Sequence, residues 1–225
     1  LKGSMIEAEQ GLITGDAPLI PIQQWFFEQN YENQNHWNQA QLLQIGEPLD
    51  LDILEKAVSA VIHHHDGLRL RYKPMKKIHK QYYEDAKSAL NIKIKKIDLA
   101  KIKSKEQATK LTEHCSKIQR SLNIESGPVM AVAVFTGLSD GKDRLLIAIH
   151  HLMVDGVSWR VIVPDLESCY QQIKDGKEVK LSPKTSSYQD WGNALIKYAD
   201  NKAIDDLDYW LKISNNPKTL NNDFA

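Results

Sequence analysis

The 225 residues contain 42% hydrophobic and 26% charged side chains, which is the composition of an ordinary globular protein with enough chain for a large core. The 29 acidic residues balance the 29 basic residues, so no charge excess indicates binding to nucleic acid or to an acidic membrane surface. The only two cysteines, Cys115 and Cys169, exclude a disulfide framework and fit a reducing compartment.

The N-terminal residues and the absence of long apolar runs indicate where in the cell we expect the protein. Residues 1–5 include Gly3-Ser4-Met5, the pattern of a cloning remnant, and we leave them out of the fold. No apolar run reaches the length of a membrane span, and no signal peptide is visible. We therefore expect a cytoplasmic protein that does not engage a membrane.

The first half of the chain alternates between helices and strands. The predicted elements are a short aromatic helix over residues 22–28, a strand over 37–45, a helix that Asp50 caps, and strands over 68–72, 78–84 and 92–98. The aromatic residues Trp25, Phe26 and Phe27 are expected to pack on the core.

Three consecutive histidines, His63 to His65, end the helix that Asp50 caps. Neighbouring residues of a helix point in different directions, so the three imidazoles cannot converge on one ion. An imidazolium also suits the negative end of a helix. We therefore predict a solvated helix end at this position and no metal site.

The second half of the chain contains the most apolar strands. A helix over 108–122 is predicted from apolar residues three or four apart, and further helices are predicted from Gly156 to about Lys174 and around 188–198 and 207–211. The continuous apolar runs 129–135 and 145–149 are typical of strands covered on both faces. This order of elements predicts an α/β (α+β) sandwich in which helices flank a mixed β-sheet.

Two adjacent histidines, His150 and His151, end the second of these apolar runs. Neighbouring side chains of a strand point to opposite faces, so we expect one imidazole to face a cleft and the other to bond within the core. Histidine suits proton abstraction because its ordinary pKa lies near neutrality. The spacing alone leaves open whether this pair is catalytic or structural.

The residues after the two histidines predict a turn into a helix. Gly156 permits a tight turn, and Ser158 can cap the helix that follows. The positive end of that helix would favour negative charge that develops on a substrate oxygen near His151. Asp155 can either orient the base or form an ion pair; we favour an ion pair, with Arg69 or else with Arg71, because a buried charge needs a partner.

Five short segments resemble peptide-synthetase domains of the condensation superfamily. Residues 150–156 read His-His-Leu-Met-Val-Asp-Gly, similar to the His-His-x-x-x-Asp-Gly signature of that superfamily, and residues 64–69 are similar to a second shared motif. Residues 157–159, 21–26 and 36–39 resemble the epimerization branch of the superfamily. One departure is Pro164, which is expected to kink or restart the helix after the signature.

The resemblance implies a chloramphenicol acetyltransferase-like lobe. The family's catalytic unit has two similar lobes with the active site between them, and residues 6–225 suffice for the N-terminal lobe alone. The resemblance implies that His151, with His150 beside it, is catalytic and that Gly156, Ser158 and Trp159 belong to the active-site loop. The absent C-terminal lobe normally supplies a glutamate to the acid–base pair, so this lobe by itself is expected to be inactive.

The implied reaction is the L-to-D epimerization of an aminoacyl or peptidyl thioester in nonribosomal peptide synthesis, a step of antibiotic biosynthesis. The substrate is implied to arrive on the phosphopantetheine arm of a peptidyl carrier protein, and no metal or diffusible cofactor is needed. Two alternatives stay open. One is condensation, which joins two carrier-bound substrates by a peptide bond, and the other is a non-catalytic lobe that docks a carrier protein.

Overall fold

The computed structural model describes residues 8–76, 78–89 and 92–215, so the expected cloning remnant lies outside the described residues. The strands are β1 Gly15–Ala17, β2 Asn38–Gln44, β3 Leu70–Pro74, β4 His79–Tyr83, β5 Lys95–Asp98, β6 Met130–Thr136 and β7 Arg144–His150. The helices are α1 Pro21–Glu28, α2 Leu51–His64, α3 Ala86–Ala89, α4 Ser104–Gln119, α5 Trp159–Lys174, α6 Tyr188–Asn201 and α7 Leu207–Asn215. Short 3-10 helices cover Gln34–His36, Asp66–Arg69 and Ala203–Asp206.

The strands form two sheets, whereas the order of elements predicts one. The first sheet has the order β1-β4-β3 and is antiparallel. The second has the order β2-β7-β6-β5 and is mixed, because β5 and β6 run parallel while the other pairs are antiparallel. The mixed sheet flanked by helices is thus confirmed for the second sheet. The division was missed because pairing depends on contacts across strands that are distant in sequence.

Strands β6 and β7 are covered on both faces, as their continuous apolar runs predict. The residues that face α2 and α5 are Met130, Val132, Val134, Leu145, Ile147 and Ile149. On the opposite face, Phe135 and Leu146 pack against Cys115 and Ile118 of α4. Because apolar layers cover both faces of β7, packing fixes the position of its C-terminal end, from which the following residues extend.

The two helices on one face of the mixed sheet test two predictions, the Asp50 cap of α2 and the effect of Pro164 on α5. Asp50 caps α2, since its carboxylate accepts hydrogen bonds from the backbone N–H groups of Asp52 at 2.9 Å and Ile53 at 3.1 Å, as predicted. Helix α5 continues through Pro164, so the predicted restart does not occur. A proline removes only one backbone donor, and the buried residues Ile162 and Leu166 hold the helix against the sheet on either side of it.

Helix α1 packs against the three-stranded sheet through two of its three aromatic residues. Phe26 and Phe27 are buried, in a cluster with Tyr72 of β3. Trp25 is 49% exposed, so the predicted packing on the core holds for Phe26 and Phe27 only.

The last two helices, α6 and α7, leave apolar side chains exposed. Ser187 caps α6 by accepting a hydrogen bond from the backbone N–H of Asp190 at 3.0 Å. The large exposed residues on these helices are Trp191, Ile196, Tyr198, Leu207, Tyr209, Trp210, Leu211 and Ile213. Among the described residues, no helix has both the length and the apolar character that crossing a membrane requires.

Candidate active site

The two histidines at the end of β7 lie on opposite sides of the chain. His150 pairs with Asn38 of β2, and the backbone N–H of His151 donates to the carbonyl of Trp37 at 2.8 Å. The side chain of His150 is fully buried, whereas His151 is exposed. The alternation predicted from the sequence is therefore confirmed, and His151 is the imidazole that a ligand can reach.

His150 is held within the core by hydrogen bonds to both ring nitrogens. Its Nε2 lies 2.7 Å from the carbonyl oxygen of Gln34, which can only accept, so Nε2 carries the hydrogen. Its Nδ1 accepts from the backbone N–H of Leu152 at 3.2 Å. Burial lowers the pKa of His150 to about 4. The ring is therefore neutral near pH 7, with neither nitrogen free to act as a base, which is the arrangement expected of a structural residue.

The low pKa of His150 predicts a pH dependence of stability. The pKa is about 4 in the folded chain and about 6.5 in an unfolded one, so the unfolded chain binds more protons between these values. The contribution of neutral His150 is therefore complete above about pH 6.5 and is lost, by about 3 kcal/mol, as the pH falls toward 4. In urea unfolding, the stability difference between wild type and His150→Gln should be smaller at about pH 4.5 than at pH 7. Equal differences at the two pH values would contradict this assignment.

His151 has the opposite arrangement of ring nitrogens. Its Nδ1 lies 2.7 Å from the carbonyl oxygen of Val154, which can only accept, so in the neutral ring Nδ1 carries the hydrogen. This leaves the lone pair on Nε2, which lies 3.3 Å from Nε2 of Gln39. The exposed nitrogen of His151 is thus the one that can accept a proton.

The orientation of the Gln39 carboxamide is fixed by Trp159. The indole N–H of Trp159 donates to Oε1 of Gln39 at 2.8 Å. Because an indole nitrogen can only donate, the Gln39 oxygen must face Trp159 and its NH2 group must face His151. Gln39 lies in β2 and Trp159 is the first residue of α5, so the mixed sheet and the following helix jointly position this side chain.

Asp155 does not form the predicted ion pair with Arg69. Its Oδ1 accepts hydrogen bonds from the backbone N–H groups of Val157 at 3.0 Å and Ser158 at 2.8 Å, and from the Ser158 hydroxyl at 2.8 Å. These bonds, those from Ser158 first, hold the pKa of the Asp155 carboxyl below its usual value. The prediction was wrong because Asp155 is exposed and local donors satisfy its charge.

The turn itself also differs from the sequence-based expectation. Ser158 has helical backbone angles and its side chain does not cap α5; the Asp155 carboxylate instead accepts from the backbone N–H groups of Val157 and Ser158, just before the helix. Gly156 lies in the turn, but a Cβ there would meet no atom within 4 Å, and its φ is one that other residues adopt. The turn therefore depends on the Asp155 carboxylate, and its geometry does not require glycine.

Arg69 pairs instead with Asp66, three residues earlier. Its guanidinium is fully buried, contacts Oδ1 of Asp66 and donates to the backbone carbonyls of Ile13 at 2.9 Å and Glu84 at 3.0 Å. The second carboxylate oxygen of Asp66 accepts from Lys184 at 2.9 Å. The short 3-10 helix places Asp66 and Arg69 on one side, so this buried cluster joins the segment before α6 to the backbone at Ile13 and Glu84.

Of the three histidines at the end of α2, His63 is exposed, as predicted for a solvated helix end, whereas His65 contacts an acidic side chain. Nε2 of His65 lies 2.7 Å from the carboxylate of Asp165. Both line a cavity of about 590 Å³ that Arg160, Lys184 and Tyr188 also border and that does not include His151. Among the described residues, no group of histidine, cysteine and acidic side chains is arranged to hold a metal ion.

Comparison with known sequences gives the class of this protein. The family model of the condensation domain matches residues 13–223. One of the linear gramicidin synthase proteins of Brevibacillus parabrevis is 43% identical over 212 residues, which are 94% of this chain and 4% of that protein. Gramicidin S synthase 1 of Brevibacillus brevis is 35% identical over 211 residues, which are 93% of this chain and 19% of that protein. The chain therefore belongs to the condensation domain family, as a domain of the nonribosomal peptide synthetase type.

Solved structures agree with this class and with the predicted chloramphenicol acetyltransferase-like fold. The epimerization domain from the third module of tyrocidine synthetase B superposes with a TM-score of 0.87 at 36% identity, over 97% of this chain and 49% of that one. The starter condensation domain of rhizomide synthetase superposes with a TM-score of 0.74 at 22% identity, over 91% of this chain and 49% of that one, and supports the fold alone. The chain thus spans about half the length of both structures.

Most of the residues at this site were singled out from the sequence, but the contacts between them were not predicted. Trp159 was placed in the active-site loop, whereas Gln39 was singled out only as part of a motif and was given no role. The register between β2 and β7 places Gln39 opposite Ile149, two residues before His151. Without that register, the contact between Gln39 and His151 could not be predicted from the sequence. The carbonyls of Gln34 and Val154 carry no sequence signal, since every residue has one.

Proposed function

We propose that this chain is the N-terminal lobe of an epimerization domain, in which His151 removes the α-proton of a carrier-bound aminoacyl or peptidyl thioester. The observation that carries the proposal is the exposed imidazole whose Nε2 holds the free lone pair. The similarity to a solved epimerization domain over 97% of the chain supports this branch of the family. His150 supports the strand end and is not the base, because both of its ring nitrogens are bonded in the core.

The chemistry follows from the position of His151. A thioester carbonyl acidifies the neighbouring C–H bond because the negative charge moves onto oxygen. Inversion of the centre requires an acid on the opposite face of the planar enolate, and we assign that group to the second lobe, which lies outside this chain. The substrate would arrive on the phosphopantetheine arm of a peptidyl carrier protein, since a tethered substrate can reach an exposed strand end between two lobes. The reaction needs no diffusible cofactor, and the setting is the cytoplasm.

Condensation is the second candidate function, since the matched family model is that of the condensation domain and covers residues 13–223. In that reaction, Nε2 of His151 would face the amine of an acceptor substrate, and a peptide bond would form between two carrier-bound groups. The same exposed imidazole serves both reactions, so the site geometry alone does not separate them.

One experiment distinguishes the two reactions. The complete two-lobed domain is incubated in heavy water with its carrier protein loaded with an L-aminoacyl thioester, and the product is analysed by mass spectrometry and chiral chromatography. Epimerization predicts deuterium at the α-carbon together with D-product. An absence of α-deuterium, with an amide formed once a second loaded carrier is added, would refute epimerization in favour of condensation. Carrier binding with neither reaction would indicate a docking lobe.

A further inference from the structure

We propose that Gln39 is a further catalytic residue, whose carboxamide N–H donates a hydrogen bond to the thioester carbonyl oxygen as the α-proton leaves. This inference rests on the proposed epimerization. Nε2 of Gln39 lies 3.3 Å from Nε2 of His151, and the substrate α-carbon must come beside that same nitrogen. The carbonyl carbon is bonded to the α-carbon, so its oxygen falls within reach of a donor placed next to the base.

The first argument is that Gln39 cannot present anything other than a donor. Its Oε1 is occupied by the indole N–H of Trp159 at 2.8 Å, so rotation of the carboxamide would break that bond and bring two donors together. The carboxamide is thus held with its NH2 group toward the substrate side of His151. A donor fixed in advance costs no reorganisation when charge develops on the oxygen.

The second argument is that the contact between Gln39 and His151 is easily exchanged. At 3.3 Å it is the longest hydrogen bond of this network, compared with 2.7 Å from His151 to Val154 and 2.8 Å from Trp159 to Gln39. The approach of a C–H bond to Nε2 of His151 displaces the Gln39 N–H from the lone pair. The released donor then needs a new acceptor, and the substrate brings one.

The third argument is that an acidic side chain already lies at the start of α5. The N-terminus of α5 would be an obvious source of stabilisation for an enolate. The backbone N–H groups of Val157 and Ser158, immediately before α5, however, donate to the Asp155 carboxylate, which places a negative charge at the start of the helix. A negative charge at that point opposes a second one, so the helix end is a poor site for the enolate and a separate donor is needed.

The proton and electron count is simple. The Cα–H bond breaks, its proton goes to Nε2 of His151, and its electron pair moves into the enolate, whose oxygen accepts from Gln39. His151 then carries hydrogens on both nitrogens. An N–H group of Gln39 and the new N–H group of His151 would then face each other as two donors. The move of the Gln39 NH2 group to the enolate oxygen removes this repulsion. Return of a proton to the opposite face completes the inversion.

Gln39 and Trp159 both lie in segments that the sequence analysis singled out. Gln39 ends the segment His36–Gln39, and Trp159 ends the segment Val157–Trp159. Both segments resemble the epimerization branch, and in the structure their last residues are hydrogen-bonded to each other beside His151. The hydrogen bond between the two residues therefore joins these segments directly beside His151.

The test measures α-proton exchange in heavy water by the complete two-lobed domain with a loaded carrier protein. Gln39→Leu should lower the exchange rate constant about 100-fold at saturating substrate with little change in KM, because one oxyanion donor is lost. Gln39→Glu should lose at least as much, since a carboxylate cannot donate and repels the enolate. Trp159→Phe should lose about tenfold by freeing the carboxamide to rotate. Gln41→Leu, two residues along the same face of β2, is the matched control and should exchange as wild type.

The nitrogen-15 shifts of the His151 ring, measured on the same variants, separate catalysis from positioning. Gln39→Leu should leave the hydrogen of His151 on Nδ1, because the Val154 carbonyl holds it there. Exchange that is undiminished in Gln39→Leu would overturn the role of Gln39 while leaving the proposed function intact. A slowed variant whose His151 hydrogen has moved to Nε2 would also overturn it, since Gln39 would then act only through the imidazole. A wild-type domain without exchange would overturn the proposed function, and this inference with it.

Discussion

We expect His151→Ala in the complete domain to slow α-proton exchange by about 10²–10⁴-fold, the range that a general base contributes. The reason is that, of the two histidines, only His151 exposes a ring nitrogen with a free lone pair. That nitrogen is Nε2, because the Val154 carbonyl holds the ring hydrogen on Nδ1. The fold should survive, because the ring is exposed and adds little to the core. The measurement is deuterium uptake at the substrate α-carbon under single-turnover conditions, with circular dichroism to verify the fold.

A control for this experiment lies at the end of α2. His63 is exposed and lies outside the candidate site, so His63→Ala should exchange at the wild-type rate. If His151→Ala kept more than about half of the wild-type rate, His151 would not be the base, and the assignment would have to be abandoned.

The largest effect on stability is expected from Asp66→Ala. Removing this carboxylate leaves the fully buried guanidinium of Arg69 and the nearly buried ammonium of Lys184 without their shared counter-charge. Breaking a buried ion pair by removing one partner costs about 3–5 kcal/mol. The variant should therefore unfold at a clearly lower urea concentration, with an unchanged slope of the transition.

The matched control is the ion pair between Asp16 and Lys80. Its side chains are 66% and 47% exposed, although the distance of 2.8 Å resembles that between Lys184 and Asp66. An exposed pair contributes about 1 kcal/mol or less, so Asp16→Ala should leave the unfolding midpoint almost unchanged. Similar losses in the two variants would mean that burial does not set the strength of the Asp66 cluster.

The parts of the fold that follow from local pattern could be predicted from the sequence. The apolar runs of β6 and β7 indicated strands covered on both faces, and alternation at the end of β7 separated a buried from an exposed histidine. The helix that follows Asp50 was predicted from the spacing of its apolar residues and from the Asp50 cap. Each of these features depends on residues within a few positions of one another.

The parts that were missed depend on distant contacts or on backbone atoms. Asp155 was paired with Arg69 on the argument that a charge needs a partner, but local N–H and O–H donors satisfied it. The true partner of Arg69 was Asp66, whose i, i+3 spacing in the sequence was the available signal. The role of Gln39 required the register between β2 and β7, which no local pattern contains.

The central claim is that two adjacent histidines hold their ring hydrogens on opposite nitrogens, which leaves Nε2 of His151 as the only one of their four ring nitrogens that is both unprotonated and exposed. Nitrogen-15 NMR of the imidazole rings of this chain, at a pH where both rings are neutral, measures this directly, and His150→Gln and His151→Gln assign the signals. The account predicts that His150 is protonated on Nε2 and His151 on Nδ1. A hydrogen on Nε2 of His151 would contradict it, because the exposed nitrogen would then have no lone pair with which to take a proton.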